Sequence, residues 1–134
     1  MNTTKKMKVS RTGVNSSMKP ITYTIDASGR TLGRVASEAS QALLGKKSVN
    51  FMKNQILPIT VVIENASKLS IPPKRLADKV YVHYTGYPGG LRKTTLPMRL
   101  DKKGVEFVLR KTIQGMMHRT KLRNPRMKKL TIKL

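Results

Sequence analysis

His83 and His118 are the only histidines of the chain, and with six scattered Asp and Glu they are its whole supply of groups for acid–base chemistry near neutral pH. An enzyme built on them needs a base, a residue that orients it and a pocket. No HxxxH or HExxH spacing and no close pair of carboxylates is present. Neither a catalytic dyad nor a metal site is therefore expected, and no cofactor. Polar contact with RNA is the better use of both histidines, and a small RNA-processing enzyme using His83 and His118 is the alternative.

A second candidate is Asp26-Ala27-Ser28-Gly29-Arg30-Thr31-Leu32-Gly33-Arg34, a strand–loop–helix junction with two glycines. Helix N-termini attract phosphate, yet the segment matches neither GxGxxG nor the GxxxxGK(S/T) phosphate loop. It reads as a helix start, with Thr31 or Ser28 as N-cap and Gly33 allowing close packing. Arg30 and Arg34 could still meet backbone phosphates.

The third is His83-Tyr84-Thr85-Gly86-Tyr87-Pro88-Gly89-Gly90-Leu91-Arg92-Lys93, which places two of the four tyrosines beside a glycine-rich turn. Pro88-Gly89-Gly90 is a turn on any reading, because Gly supplies positive φ and Pro presets its own. A plain turn does not explain Tyr84, Tyr87, Arg92 and Lys93 around it. RNA recognition does: glycines admit a phosphate, aromatics stack on splayed bases and cations neutralise the backbone.

These residues need elements to position them. Ile21-Thr22-Tyr23-Thr24-Ile25-Asp26 is a short β-branched and aromatic run, and Leu32, Val35, Ala36, Ala39 and Leu43 follow at helical spacing. Gly45 closes that helix, with Lys46 and Lys47 just beyond it. Ile59-Thr60-Val61-Val62-Ile63 reads as a strand covered on both faces, reached by a parallel crossover. Lys74 and Arg75 precede a third strand over residues 79–84, which Lys79 opens, with Val80, Val82 and Tyr84 on one face and Tyr81 and His83 on the other. Val105, Val108, Leu109, Thr112, Ile113 and Met116 make an amphipathic helix that leaves Arg110 outside its stripe. Leu130-Thr131-Ile132 reads as a last short strand.

The segment from His118 to Lys133 carries Arg119, Lys121, Arg123, Arg126, Lys128, Lys129 and Lys133 with no acid. Like charges at helical spacing repel, and Pro125 fits only a first turn, so a free helix here would be poor. The expectation is docking through Leu122, Met127, Leu130 and Ile132, with the cations turned outward.

Composition narrows the class. Twenty-eight Lys and Arg against six acids leave +22 on 134 residues, a surface that concentrates polyanions. Only five of those cations, and no acid, lie in residues 1–20, so the folded part is itself the polycation. Residues 1–20 are poor in apolar side chains and read as a flexible basic arm, with an organellar transit peptide the competing reading. The absence of Cys excludes disulfides and thiolate chemistry and suits a reducing cytosol. No apolar run approaches the roughly 18 residues of a membrane span. Neither a membrane nor a small-molecule substrate is expected as partner. Residues 21–134 are read as a single RNA-binding domain.

In this order, Asp26-Ala27 with Thr31-Leu32-Gly33-Arg34-Val35-Ala36, Gly45-Lys46, Asn65-Ala66, Lys79-Val80-Tyr81, Thr85-Gly86-Tyr87-Pro88-Gly89-Gly90-Leu91 and Gly115-Met116 resemble the large-subunit ribosomal protein thirteen family of bacteria. The resemblance implies a three-layer α/β/α domain with a mainly parallel sheet of about four strands. It also implies a non-enzymatic role in the cytoplasmic ribosome, binding large-subunit ribosomal RNA beside neighbouring large-subunit proteins, early in assembly.

Overall fold

The computed structural model describes residues 20–134. Of the arm expected over residues 1–20, all but Pro20 lies outside the described residues. The chain begins as β1 (Ile21–Asp26), α1 (Leu32–Leu44) and β2 (Ile59–Glu64), and β1 pairs parallel with β2 in unbroken register from Ile21 opposite Ile59 to Asp26 opposite Glu64. Two parallel neighbours need a crossover, and α1 is that crossover. Its stripe of Leu32, Val35, Ala36, Ala39 and Leu43 is buried, and its three alanines let it lie close. Gly45 ends the helix at φ 86°, donating its N–H to Ala42 O at 2.9 Å while the Lys46 N–H reaches Gln41 O at 3.0 Å.

A single 3-10 turn at Ala66–Lys68 leads to α2 (Pro73–Asp78), β3 (Val80–Tyr84) and β4 (Leu91–Thr95). α3 (Leu96–Met116), α4 (Arg123–Met127) and β5 (Leu130–Ile132) complete the chain. β5 lies parallel to β2 on the side away from β1. The α/β class and the parallel sheet are as expected, but that sheet has three strands. The segment read as its third strand, β3, pairs antiparallel with β4 in a separate hairpin. Only six residues join the two, a length that favours the adjacent strand over a distant sheet edge.

The core lies between α1, α3 and one face of the parallel sheet. Ile59, Val61 and Ile63 point into it, joined by Ile25 and Leu130 from the flanking strands and by Val108, Leu109 and Ile113 from α3. Each such side chain contributes roughly 1.5–3 kcal/mol by leaving water. The second face of β2 is not buried as its composition suggested: Thr60 is exposed, beside Thr22 and Thr24 of β1 and Thr131 of β5. β-branched residues favour a pleated backbone whether or not both faces are covered, so composition alone could not separate the two cases. No helix among the described residues covers that face.

α3 is bent. Gly104 sits inside it at φ 75° and ψ 172°, so the stretch ahead of it, opened by Pro97, leaves the line of the amphipathic part that follows. Val108, Leu109 and Ile113 are buried as the spacing required, whereas Met116 is exposed and Met117 takes its place in the core.

Candidate nucleic-acid interface

The bend in α3 and the β3–β4 hairpin enclose a cleft of about 750 Å³. Tyr81 and His83 line it from β3, Thr94 from β4, and Arg75 and Lys79 from α2 and its end. Across from them α3 contributes Met98, Arg99, Lys102, Lys103, Phe107 and Lys111. Both rings are already covered by cations: Arg99 lies 4.0 Å and Lys79 5.4 Å from the centre of Tyr81, and Lys103 4.5 Å from that of Phe107. Each such contact contributes about 0.5–1 kcal/mol at an exposed site.

Two further clefts continue from this one. A groove of about 420 Å³ along the end of α3 shares Lys111 and Gly115 with it and adds Gln114, Arg119 and Arg123. A third cleft, of about 740 Å³, shares Arg119 with the groove and is lined by Leu44, Lys46, Phe51, Lys53, His118, Thr120 and Arg126. None of the three has a carboxylate in its lining. The result is one basic track, continuous through shared residues, of the kind that neutralises a nucleic-acid backbone.

The residues expected at such a surface fall into groups. Arg75, Lys79 and His83 meet in the hairpin cleft, Arg119 and Arg123 in the groove, and Lys46 and His118 in the third cleft. Tyr84 and Tyr87 are 57% and 76% exposed at the hairpin end, and Gly89, Arg92 and Lys93 are exposed beside them. Arg34, Lys74, Lys121 and Lys128 are exposed away from the three linings. The two histidines line different clefts, which leaves no joint acid–base site for the enzymatic alternative.

Other expectations are corrected. Arg126 is not turned outward: it is 5% exposed, and its guanidinium donates to the carbonyls of Gln55 at 2.8 Å and Lys53 at 3.3 Å. Lys129 is half-buried, its Nζ donating to Leu57 O at 2.8 Å. Burial lowers the pKa of both groups. Two carbonyls of the loop ahead of β2 offset part of the cost of desolvating the Arg126 guanidinium, and the sequence carries no sign of which of the segment's cations will find them. Met127 and Leu130 do hold the segment in the core, with Ile132 packed against it, and Pro125 stands in the first turn of the short α4.

Arg30 and Lys47 both engage Glu38, at 2.7 and 2.8 Å, and these two contacts hold the Glu38 carboxyl below its usual range, that of Lys47 first. Gly33 does not serve close packing, since a Cβ there would meet nothing within 4 Å. Thr31 occupies the N-cap without a side-chain bond. Asp26 organises the junction instead: its Oδ1 accepts from Asn65 Nδ2 at 3.0 Å, from the Ser28 N–H at 3.1 Å and from Ser28 Oγ at 2.9 Å. Those bonds, Asn65 first, bring its pKa from 3.8 to about 2. Gly90 has a local reason of its own, because a Cβ there would collide with Thr85 Oγ1 and stand 2.9 Å from Tyr87 O.

Sequence reasoning missed Arg99, Lys102, Lys103, Lys111, Lys53 and both rings, Tyr81 and Phe107. Residues 96–104 show no clear apolar period, and only the bend at Gly104 brings them opposite the hairpin.

Among the described residues no helix is long and apolar enough to cross a membrane. The family model for Ribosomal protein L13 matches residues 21–132. A large ribosomal subunit protein uL13 from Rubrobacter xylanophilus is 41% identical over 110 residues, covering 82% of this chain and 76% of the relative. Its counterpart from Geobacter sulfurreducens is 38% identical over the same shares, and that from Alcanivorax borkumensis 36% over 87% of this chain and 81% of its own.

Proposed function

Because this chain belongs to the ribosomal protein L13 family, we propose that it is a constituent of the large ribosomal subunit that binds large-subunit ribosomal RNA and helps it fold during assembly. The family is a structural one, and the chain is not an enzyme. The observation that carries the RNA reading is the basic track: three clefts joined by Lys111, Gly115 and Arg119, without a carboxylate in any lining. A chain of +22 approaching RNA releases counterions, and that release supplies most of the sequence-independent affinity. Arg75, Lys79, Arg99, Lys102 and Lys111 meet phosphates, while the exposed Tyr84 and Tyr87 stack on unpaired bases beyond the hairpin end. Arg126 and Lys129 act inside the protein, holding the loop ahead of β2. Neighbouring large-subunit proteins are its other partners, and the cytoplasmic ribosome is its place.

Sedimentation of tagged protein from a lysate tests the assignment. Co-migration with the large subunit, and binding of isolated large-subunit RNA that weakens steeply with salt, are expected. Protein that stays at the top of the gradient, or affinity indifferent to salt, would sink it.

A further inference from the structure

The three clefts are not alike in what they offer. In the hairpin cleft both rings, Tyr81 and Phe107, are capped by the protein's own cations, so that cleft presents charge and little free aromatic surface. The third cleft differs. Its lining combines Leu44 and Phe51 with Lys46, Lys53, His118 and Arg119, and none of the cation–ring contacts among the described residues involves Phe51. At about 740 Å³ it falls within the range of pockets that take small organic groups.

The loop that brings Phe51 there is anchored. Arg126, buried under it, binds the carbonyls of Lys53 and Gln55. Val49 and Met52, on either side of Phe51, stand exposed, so the apolar surface extends past the pocket. A ring and an aliphatic wall rimmed by cations suit a flat heteroaromatic group joined to an anion. Arg119 also lines the groove, so the cleft lies next to the rest of the track.

We propose that this cleft receives an unpaired nucleotide of the bound RNA, its base stacked on Phe51 and its phosphates held by Lys46, Lys53 and Arg119. This rests on the RNA-binding reading and deepens it. The track carries duplex backbone, and the Phe51 cleft selects a place where one nucleotide leaves the stack. Stacking on an aromatic ring is tolerant of base identity, so the preference is for the bulge and not for its sequence.

The test uses the full chain, a short RNA duplex, and the same duplex with one bulged 4-thiouridine. Wild type should bind the bulged RNA about tenfold tighter, in line with one stacked base. Phe51→Leu should remove that preference, bringing affinity for the bulged RNA down to that for the duplex, and Phe51→Trp should keep it. Irradiation should crosslink the thiouridine within residues 48–53. Equal affinity for both RNAs, a preference that survives Phe51→Leu, or crosslinks confined to the hairpin would overturn the proposal. Should Phe51→Leu fail to fold, Phe51→Trp and the crosslink still decide. Failure to bind either RNA at low salt would instead refute the RNA-binding reading, and this inference with it.

Discussion

Arg123 and Arg126 are three residues apart, carry the same charge and belong to opposite roles. Arg123 lines the open groove, whereas Arg126 is enclosed and bonded to two carbonyls. Removing Arg126 gives up two charge-assisted hydrogen bonds and the packing of a buried side chain, a loss of about 1.5–3 kcal/mol. Arg126→Ala should therefore lower the melting temperature clearly, and Arg123→Ala should barely move it, within roughly 0.5 kcal/mol, while weakening RNA binding. Equal melting temperatures would refute the burial of Arg126. Asp26 offers a titration at the same scale. Its folded pKa of about 2 lies below the ordinary 3.8, so the stability its ionised form contributes is complete above 3.8 and drains away as pH falls through 2. Asn65→Gly removes the leading bond and keeps a residue tolerant of the φ of 56°. Carboxyl chemical shifts followed against pH should show the Asp26 midpoint rise toward 3.8 in that variant.

Among elements, the hairpin and α3 use glycine for opposite reasons. Gly90 has no room for a Cβ, because Thr85 Oγ1 and the Tyr87 carbonyl fill that space. Gly115 lies in the helix with nothing within 4 Å of a Cβ, so in the free protein it costs the helix stability without relieving any contact. Gly115→Ala should stabilise the protein by about 0.5–1 kcal/mol, the usual gain of Ala over Gly in a helix. Gly90→Ala should loosen the turn. Amide exchange across β3 and β4 should accelerate in the Gly90 variant and stay unchanged in the Gly115 one. A two-stranded hairpin is marginal alone, so that loosening is expected to stay local and spare the parallel sheet.

For the whole molecule the question is which cations set the dependence on salt. Arg99, Lys102 and Lys103 stand together on the wall of the hairpin cleft, and none belongs to an ion pair found among the described residues. Replacing all three by Ala should lower the melting temperature only slightly, because the ring contacts of Arg99 and Lys103 are lost while like-charge repulsion is relieved. The log–log slope of RNA affinity against salt should flatten by about 0.9 for each phosphate that the variant no longer neutralises. The matched triple substitution of Arg34, Lys74 and Lys128, exposed away from the clefts, should change that slope less. If both triples flatten it equally, binding is a diffuse property of net charge and the track has no special part.

Much of this protein is decided by order and type of residue. β1, α1, β2 and the amphipathic half of α3 follow from apolar spacing, and the end of α1 follows from Gly45, because each depends on neighbours within a turn or two of chain. The charge that calls for a polyanion is equally plain in the composition. The short link between β3 and β4 favours their pairing, but only tertiary structure decided that this hairpin would stand apart and leave a three-stranded sheet, since that depends on which edges come within reach. It also decided that Arg126 would turn inward, because its carbonyl acceptors lie some seventy residues earlier in the chain. The clefts belong to the same class. Arg99, Lys102 and Lys103 become one wall only because Gly104 bends α3 toward the hairpin, and Phe51 meets Arg119 only because the loop ahead of β2 folds back over α4. No local pattern records such meetings: they are set by long-range packing of the core beneath them.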